Sequence, residues 1–392
     1  MDSGAHTTLS VKMMSHVKLA LVLLIAIVVL TVSYATYMLL QSEHGSSLQG
    51  EYFEVTDFNN RTVKVPSKVS RIVAIGPGML RLVVYLNATN LVVGVEASEK
   101  EWSTLGRDYA MAYEDFLKKL PIIGVGGPRS PPDPERIRAV KPDLVIMHKL
   151  YAQMYDPDRL SREIGVPVIV LDYGKAGYLD INSIKQALRL LGKILHRESR
   201  AEELCKYIDQ IVSDLKNRVK NVTAKPLVYV GAVSYKGKQP FTSSQSPFPP
   251  LMLLNTSSII DEVSLKPGFV SIDFEYLLLK QPEVIFIDLN SIDIVISDFK
   301  KDPNKYCALK AFKKGNVYAI LPFNYYHTNV ATALADAYYI GKVLHSDQFA
   351  DINPKEKANE IFEVFLGKPL YEEFVKEFNI GFDSLASVFK CG

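Results

Sequence analysis

Hydrophobic residues along the chain fall into short continuous runs, which alternate with stretches of helical periodicity. Runs of four or five residues rich in Val, Ile and Leu predict strands that are buried on both faces. Before residue 180 they lie at 71–75, 91–95, 144–147 and 168–171, and after residue 225 they lie at 227–231, 284–287 and 317–320. Strands that alternate with helices in this way predict an α/β fold with mostly parallel sheets flanked by helices.

An acidic motif occurs once in each half of the chain. The first copy is 133–137 (DPERI), and the second is 271–278 (SIDFEYLL). Each copy opens a predicted helix, which leads into a strand through a proline-containing step at 141–143 and 281–283. The same helix-turn-strand unit in both halves predicts two similar lobes, and two lobes predict a cleft between them.

The sequence between the two halves has helical periodicity. Residues 181–195 are amphipathic, and a second helix is predicted from Ser199, as N-cap of a capping box with Glu202, to about Val219. No linker rich in Gly or Pro separates the halves, so we expect a single long α-helix to bridge the lobes and to limit their opening to a few degrees. The predicted domains are an N-terminal lobe at 52–180, a helical connection at 181–224 and a C-terminal lobe at 225–392.

An uncharged, mostly aliphatic run extends from Leu19 to Leu40 and follows Lys12 and Lys18. Its 22 residues span about 33 Å as a helix, which is enough to cross a bilayer core. This predicts a transmembrane anchor at 19–40 with a cytoplasmic tail at 1–18 and a spacer at 41–51. A cleavable signal segment that ends near Ala35 is the alternative. In both cases the globular part lies outside the cytoplasm.

Composition narrows the function classes. The 392 residues suffice for two domains with their own cores, and a net charge of +2 without a basic cluster gives no indication of a nucleic-acid partner. Cys205, Cys307 and Cys391 are far apart, which permits one disulfide and excludes a CxxC metal motif. The sequence contains none of the nucleophile-elbow, zinc-protease, P-loop or dinucleotide motifs, so an extracellular two-lobed α/β enzyme is the weaker hypothesis.

Several motifs carry a family resemblance by their order and spacing. They are 71–77 (RIVAIGP), 133–145 (DPERI and KPDLV), 240–243 (PFTS), 274–278 (FEYLL) and 315–318 (GNVY). Over about residues 52–370 the chain resembles the periplasmic substrate-binding proteins of ABC importers, in the class whose lobes are joined by one long helix and which includes receptors for ferric siderophores, haem and vitamin B12. The resemblance implies a monomeric binding protein, without catalysis or cofactor, that delivers its ligand to a permease dimer with ATPase subunits.

In that family a glutamate on each lobe docks onto arginines of the permease, and by motif position these residues are Glu135 and Glu275 here. A glutamate in the first turn of a helix also interacts favourably with the helix dipole, by about 0.3–1 kcal/mol, and needs no partner for that. The resemblance favours docking over this purely structural role.

The resemblance also places three loops, 76–81, 234–244 and 322–329, along the ligand cleft. The predicted ligand-binding residues on or near these loops are Pro77, Gly78, Arg81, Arg129, Tyr173, Tyr235, Phe241, Thr242, Ser243, Tyr325, Tyr326 and His327. Glycines allow close approach of a ligand, and aromatic side chains suit a large chelate or corrin ring. Relatives often have Thr-Glu where Leu80-Arg81 stands, so Arg81 is expected to bring positive charge to the cleft mouth or to be a surface residue.

The expected ligand is a metal complex, with a ferric siderophore or related iron chelate preferred. No other residue of a metal-ligand motif lies near His327 in the sequence. Direct metal capture needs three or four convergent donors, so we assign no metal ligands. Molybdate or tungstate is the alternative, which Ser243 and Arg129 would suit. Cobalamin is less favoured, since Trp102 is the only tryptophan.

Overall fold

The computed structural model describes residues 26–38, 52–264 and 266–392. Residues 26–38 form helix α1, which groups with residues 52–53 and 66–68 as a unit separate from 54–65 and 69–392. In the ranges described, no helix combines the length and the apolar character that a membrane crossing requires. Part of the predicted span at 19–40, and all of the tail at 1–18 and the spacer at 41–51, lie outside these ranges.

The chain reverses in a β-hairpin at Asn59-Asn60. Strands β1 (Tyr52–Thr56) and β2 (Thr62–Pro66) form a two-stranded sheet. One carboxylate oxygen of Asp57 accepts hydrogen bonds from the backbone N–H groups of Asn59 and Arg61, and Asn60 adopts a left-handed conformation with φ 57°. Asparagine tolerates that conformation, which explains why the chain reverses here.

The first parallel sheet has the strand order β4-β3-β5-β6. Its strands are β3 (Ile72–Ile75), β4 (Val92–Gly94), β5 (Leu144–His148) and β6 (Val168–Leu171). The associated helices are α2 (Met79–Tyr85), α3 (Ala97–Glu101), α4 (Asp108–Lys119), α5 (Pro134–Ala139), α6 (Lys149–Ala152) and α7 (Pro157–Ile164). Residues of β3, β5 and β6 are fully buried, as their continuous hydrophobic runs predict. All four strands end at one edge, where side chains from different loops meet.

Two helices connect this sheet to the second half. Helix α8 (Ile181–Ile194) packs against α9 (Glu198–Arg218), and α9 also contacts helices of the second half. The predicted N-cap at Ser199 is wrong, because α9 begins at Glu198 and its N-cap is Arg197. The N–H of Arg197 donates a hydrogen bond to the Gly192 carbonyl at the end of α8. The role of α9 as a bridge between lobes remains a prediction.

The second half contains a parallel sheet with the order β11-β10-β7 and an antiparallel pair, β8-β9. The strands are β7 (Val228–Gly231), β8 (Ser243–Ser246), β9 (Gly268–Ser271), β10 (Val284–Asp288) and β11 (Val317–Ile320). The helices are α10 (Pro249–Leu253), α11 (Phe274–Lys280), α12 (Ile292–Lys301), α13 (Pro303–Cys307), α14 (Lys310–Lys314), α15 (Val330–Leu344), α16 (Pro354–Leu366) and α17 (Tyr371–Phe378). The predicted α/β class with mainly parallel sheets flanked by helices is confirmed.

One disulfide closes a large loop of the second half. It joins Cys307, at the end of α13, to Cys391, 84 residues later in the sequence. Cys205 is a buried free thiol on the apolar face of α9. A disulfide is consistent with a chain that folds outside the cytoplasm.

Candidate functional site

The loop between β3 and α2 is packed too tightly for any residue other than glycine at two positions. Gly76 and Gly78 have φ of 89° and 77°, in the left-handed region. A Cβ atom on Gly78 would lie 2.0 Å from the hydroxyl oxygen of Tyr173, and one on Gly76 would lie 2.8 Å from the Cβ of His148. The predicted residues Pro77 and Gly78 are therefore buried against the ends of the neighbouring strands.

Arg81 is neither at a cleft mouth nor on the surface, so both expectations for its position were wrong. Its side chain is fully buried, and Nε donates to Asp108 at 3.0 Å. Nη1 donates to the Tyr173 hydroxyl at 2.7 Å, and other guanidinium hydrogens reach the Tyr325 and Tyr326 carbonyls and the Asn329 side chain. A buried guanidinium group needs acceptors for its N–H donors and an opposite charge. The surrounding oxygen atoms provide the acceptors, and the Asp108 carboxylate provides the negative charge.

The Arg81 cluster joins the two halves of the chain. Arg81 belongs to α2, whereas Tyr325, Tyr326 and Asn329 lie on the loop 322–329 between β11 and α15. Burial by itself would lower the pKa of Arg81, but the adjacent Tyr173 and Asp108 raise it above its ordinary value. Asn329 also donates to the Gly106 carbonyl at 2.7 Å. The loop is thus held at the carboxyl edge of the first sheet by charge-assisted hydrogen bonds.

Tyr326 makes a second connection between the same two elements. Its hydroxyl donates to Glu96 Oε2 at 3.1 Å and accepts from the Gly127 N–H at 3.0 Å. Glu96 also accepts from the Gly76 N–H at 2.8 Å and lies 3.0 Å from the Tyr151 hydroxyl. Burial raises the pKa of Glu96 to about 7. This carboxyl group therefore titrates near neutral pH while it holds a residue of the opposite half.

Three potential metal ligands converge beside these clusters. His148, Asp172 and His327 each place one donor atom within 4.8 Å of the other two. Among the described residues, His148 Nε2 and His327 Nδ1 are buried without any hydrogen-bond partner. A buried polar atom left unpaired costs roughly 1–3 kcal/mol. The structure therefore contains the convergent donors that were not evident in the sequence.

Both imidazoles of this triad are held in the neutral form. Burial lowers the pKa of His148 to about 4. Burial, His148 and the charge of Arg81 together lower the pKa of His327 well below its ordinary value. Burial raises the pKa of Asp172, which is half-buried and accepts a hydrogen bond from the Gly174 N–H at 3.0 Å. The triad thus presents neutral imidazoles, which are the form that binds metals.

The predicted residues of the loop 234–244 do not join this cluster. Phe241 lies in the aromatic core of the second half, where its ring centroid is 5.2 Å from that of Tyr306, and this excludes it from a ligand surface. Ser243 donates its hydroxyl to the Val233 carbonyl at 3.0 Å, and Thr242 is half-buried. Tyr235 is 39% exposed and stacks on Phe269, so it is the most accessible of the four.

The remaining predicted residues are divided between interior and surface. Tyr325 is half-buried, with the guanidinium of Arg107 5.6 Å from its ring centroid. Arg129 is exposed. Glu135 and Glu275, the predicted docking residues, are both exposed in the first turns of α5 and α11.

His148, Asp172 and Glu96 are not among the residues predicted from the sequence, although their positions carry a signal. His148 is the last residue of β5, Asp172 directly follows β6 and Glu96 follows β4 by two residues. Ligands of open parallel sheets bind at the carboxyl ends of the strands. Selecting polar residues at those ends, rather than on glycine-rich and aromatic loops alone, would have found all three.

Comparisons with known proteins agree with this architecture. Residues 72–322 match the family model described as periplasmic binding protein. The molybdate-binding protein MolA of Haemophilus influenzae is 22% identical over 333 residues, which cover 79% of this chain and 90% of that protein. Its molybdate-bound structure aligns with a TM-score of 0.61 at 19% identity, covering 81% of this chain and 98% of the other.

Two further relatives extend the comparison. The ferric-anguibactin-binding protein FatB of Vibrio anguillarum is 28% identical over 122 residues, 31% of this chain and 37% of that protein. A periplasmic solute binding protein of Veillonella parvula aligns with a TM-score of 0.65 at 18% identity, covering 83% and 96% of the two chains. The chain belongs to the periplasmic binding protein family, as a solute-binding protein of an ABC importer and not an enzyme.

Proposed function

We propose that the protein captures a metal-containing solute at the carboxyl edge of its first sheet, beneath the loop 322–329, and delivers it to an ABC permease. The observation that supports this most directly is the convergence of His148, Asp172 and His327 at that edge, with two buried nitrogen atoms that lack partners. A binding protein whose cleft closes over its ligand leaves such atoms for the ligand to satisfy.

Two classes of solute are candidates for the ligand of this protein. A ferric siderophore or related iron chelate is the candidate from the sequence, and the partial similarity to FatB supports it. Molybdate or a related oxyanion is the second candidate, which the similarity to MolA over 79% of this chain supports. An oxyanion is much smaller than an iron chelate. The burial of the aromatic residues Phe241 and Tyr326, which are not arranged along an open groove, suits this smaller ligand.

A ligand screen on the purified full chain tests this proposal. Thermal unfolding would be followed with ferric siderophores, haem, cobalamin, molybdate, tungstate and divalent metal ions. A ligand at 100 times its dissociation constant stabilises the fold by about 2.7 kcal/mol, which is a clear rise of the unfolding midpoint. Absence of a rise with every one of these solutes would contradict the proposal.

We further propose that Glu135 and Glu275 dock the protein onto the permease. Glu135 lines an open surface depression with Val125, which is 67% exposed, and Glu275 precedes Leu279, which is 79% exposed, by one helical turn. An exposed carboxylate beside an exposed aliphatic residue, once on each half, suits a partner that contributes arginines and apolar contacts.

Charge reversal separates docking from a helix-dipole role. We expect Glu135→Arg and Glu275→Arg to abolish uptake in cells while the purified protein keeps its ligand affinity. Glu373→Arg is the matched control, because Glu373 is also exposed in the first turn of a helix, α17. Equal losses of uptake in all three variants would refute docking.

We also propose that the protein acts as a monomer, as the family resemblance implies, and that the N-terminal segment anchors it to the membrane. The support is the uncharged run from Leu19 to Leu40 preceded by Lys12 and Lys18. N-terminal sequencing of the protein recovered from the membrane fraction tests retention of the segment. A mature N-terminus near Ala35, with all protein in the soluble fraction, would replace the anchor by a cleaved signal.

A further inference from the structure

We propose that His148, Asp172 and His327 form a binding site for a divalent first-row transition-metal ion, held jointly by the two halves of the chain. The inference rests on the proposed function, because it names the chemistry that the same cleft recognises. It goes further in one respect: side chains of the protein would coordinate the metal directly, in place of a chelating molecule that surrounds it.

The topology brings the three donors together. His148 ends β5 and Asp172 follows β6, and these strands are parallel neighbours in which His148 pairs with Leu171. His327 reaches the same point from the loop 322–329 of the second half. Its ring centroid lies 5.1 Å from that of His148 and 4.1 Å from that of Tyr173. Opening of the cleft would therefore separate one ligand from the other two.

The distances are close to those of a metal site, although not identical. The three donor atoms lie within 4.8 Å of one another. Ligands at 2.0–2.2 Å from a tetrahedral ion are about 3.4 Å apart, so the groups must approach by roughly 1 Å. Two imidazoles and one carboxylate suit Zn²⁺, Ni²⁺ or Co²⁺, with the remaining coordination positions open to water or to atoms of an incoming solute.

The carboxylate of Asp172 favours a cation over an oxyanion at this point. Nδ1 of His327 is buried and has no hydrogen-bond partner among the described residues. Asp172 contributes carboxylate oxygens beside it. An oxyanion would face the lone pairs of that carboxylate, whereas a cation is attracted by them.

His148 requires one adjustment before it can bind a metal. Its Nδ1 accepts a hydrogen bond from the Leu150 N–H at 3.0 Å, so the neutral ring carries its proton on Nε2. Coordination through Nε2 requires that proton to move to Nδ1, by way of solvent, and the Leu150 bond to be given up. Leu150 N–H is in the first turn of α6, where helix N–H groups have no intrahelical partner and water can replace the lost acceptor.

The backbone around His327 is held in an unfavourable conformation. Tyr326 and His327 have φ of 52° and 81°, two consecutive left-handed residues that are not glycine. The loop is fixed on both sides, by the Tyr326 hydroxyl on Glu96 and by Thr328 Oγ1, which accepts from the Gly177 N–H at 2.9 Å. Such conformations concentrate at ligand sites, where the surrounding structure maintains them. This one directs the unpartnered nitrogen towards His148 and Asp172.

Cobalt titration of the full chain, freed of metal with a chelator, tests the inference. We expect one Co²⁺ per chain, with visible absorption bands of a four- or five-coordinate ion and competition by Ni²⁺ and Zn²⁺. Asp172→Asn and His327→Gln should weaken binding by about 100-fold or more. His345→Gln is the matched control, because His345 is also buried but lies at the end of α15, outside the triad, and its affinity should be unchanged.

The outcomes separate this inference from the proposed function. Failure of Co²⁺, Ni²⁺ and Zn²⁺ to bind, together with stabilisation by molybdate or a ferric chelate, would overturn the metal site and leave the receptor function intact. Metal binding that survives both triad substitutions would also overturn it. No stabilisation by any solute would reject both. If His327→Gln does not fold, Asp172→Asn decides, because Asp172 is only half-buried and asparagine keeps its shape.

Discussion

Two groups of buried polar side chains meet at the same sheet edge, and they differ in how completely their atoms are paired. Around Arg81, each of the three guanidinium nitrogens donates to a carboxylate, hydroxyl, carbonyl or amide oxygen. In the triad, His148 Nε2 and His327 Nδ1 donate to or accept from no group among the described residues. The fully paired cluster holds the protein together, and the incompletely paired one is available to a ligand.

The largest effect should follow from breaking the paired cluster. Arg81→Met removes the charge that compensates Asp108, whose side chain is fully buried. Removing one member of a buried ion pair costs about 3–5 kcal/mol, so we expect a loss of that size in the free energy of unfolding measured with urea. The exposed pair Arg159–Glu163 provides the control. Arg159→Met should cost less than about 1 kcal/mol, and equal losses in the two variants would contradict the role given to Arg81.

A smaller effect, dependent on pH, is expected at Glu96. Its pKa is about 7 in the folded protein and 4.5 as a free group, so folding favours the protonated form. The stability gained by protonation is complete below pH 4.5 and is lost as pH rises through 7. The free energy of unfolding should fall by roughly 3 kcal/mol over this range because of Glu96.

Glu96→Gln should remove that part of the pH dependence, as measured by urea unfolding at pH 4.5 and pH 8. The groups that face Glu96 are Tyr151, Tyr326 and Glu99, of which Glu99 is paired with Arg107. Burial also raises the pKa of Glu99, so a residual slope of the same sign is expected in the variant. An unchanged profile would show that Glu96 is ionised throughout.

The smallest effect on stability is expected in the triad itself. In the metal-free chain, Asp172→Asn should change the free energy of unfolding by less than about 1 kcal/mol, because asparagine can still accept from the Gly174 N–H. The same substitution is expected to weaken metal binding by about 100-fold or more. A destabilisation as large as that of Arg81→Met would mean that the two clusters do not differ in the proposed way.

Local sequence pattern was sufficient for the elements of the fold. The continuous hydrophobic runs at Ile72–Ile75 and Val168–Leu171 are buried strands, and the proline-containing steps precede β5 and β10 as predicted. The start of α9 was misplaced because a favourable N-cap residue, Ser199, lies two residues after the actual cap. Packing of Gly192 against Ala201 brings α8 and α9 together at this point. The N-cap preference of Ser199 is a local property and contains no information about that contact.

The site was harder to predict because its chemistry depends on distant partners. Arg81 could be assigned to the interior only through Asp108, 27 residues away, and through carbonyl groups of the loop 322–329. Phe241 is a predicted ligand contact that lies in the core, because an aromatic side chain is equally suited to a hydrophobic core and to a binding cleft. His327 is among the predicted residues, but its two partners lie 155 and 179 positions earlier in the chain. Sequence spacing carries no information about convergence over such distances.

Among the described residues, the loop 322–329 makes hydrogen bonds across the halves to Arg81, Glu96 and Gly177 near the triad. Within the loop, an antiparallel β-bridge joins Asn324 to Thr328. Because one loop carries the bonds to both Arg81 and Glu96, we expect these bonds to break together, in a concerted opening with a single activation barrier. Chemically different solutes should then leave with similar rate constants, set by the loop, while their affinities differ through the rate of capture. Stopped-flow dissociation that varies between solutes as widely as affinity does would show that the loop does not govern release.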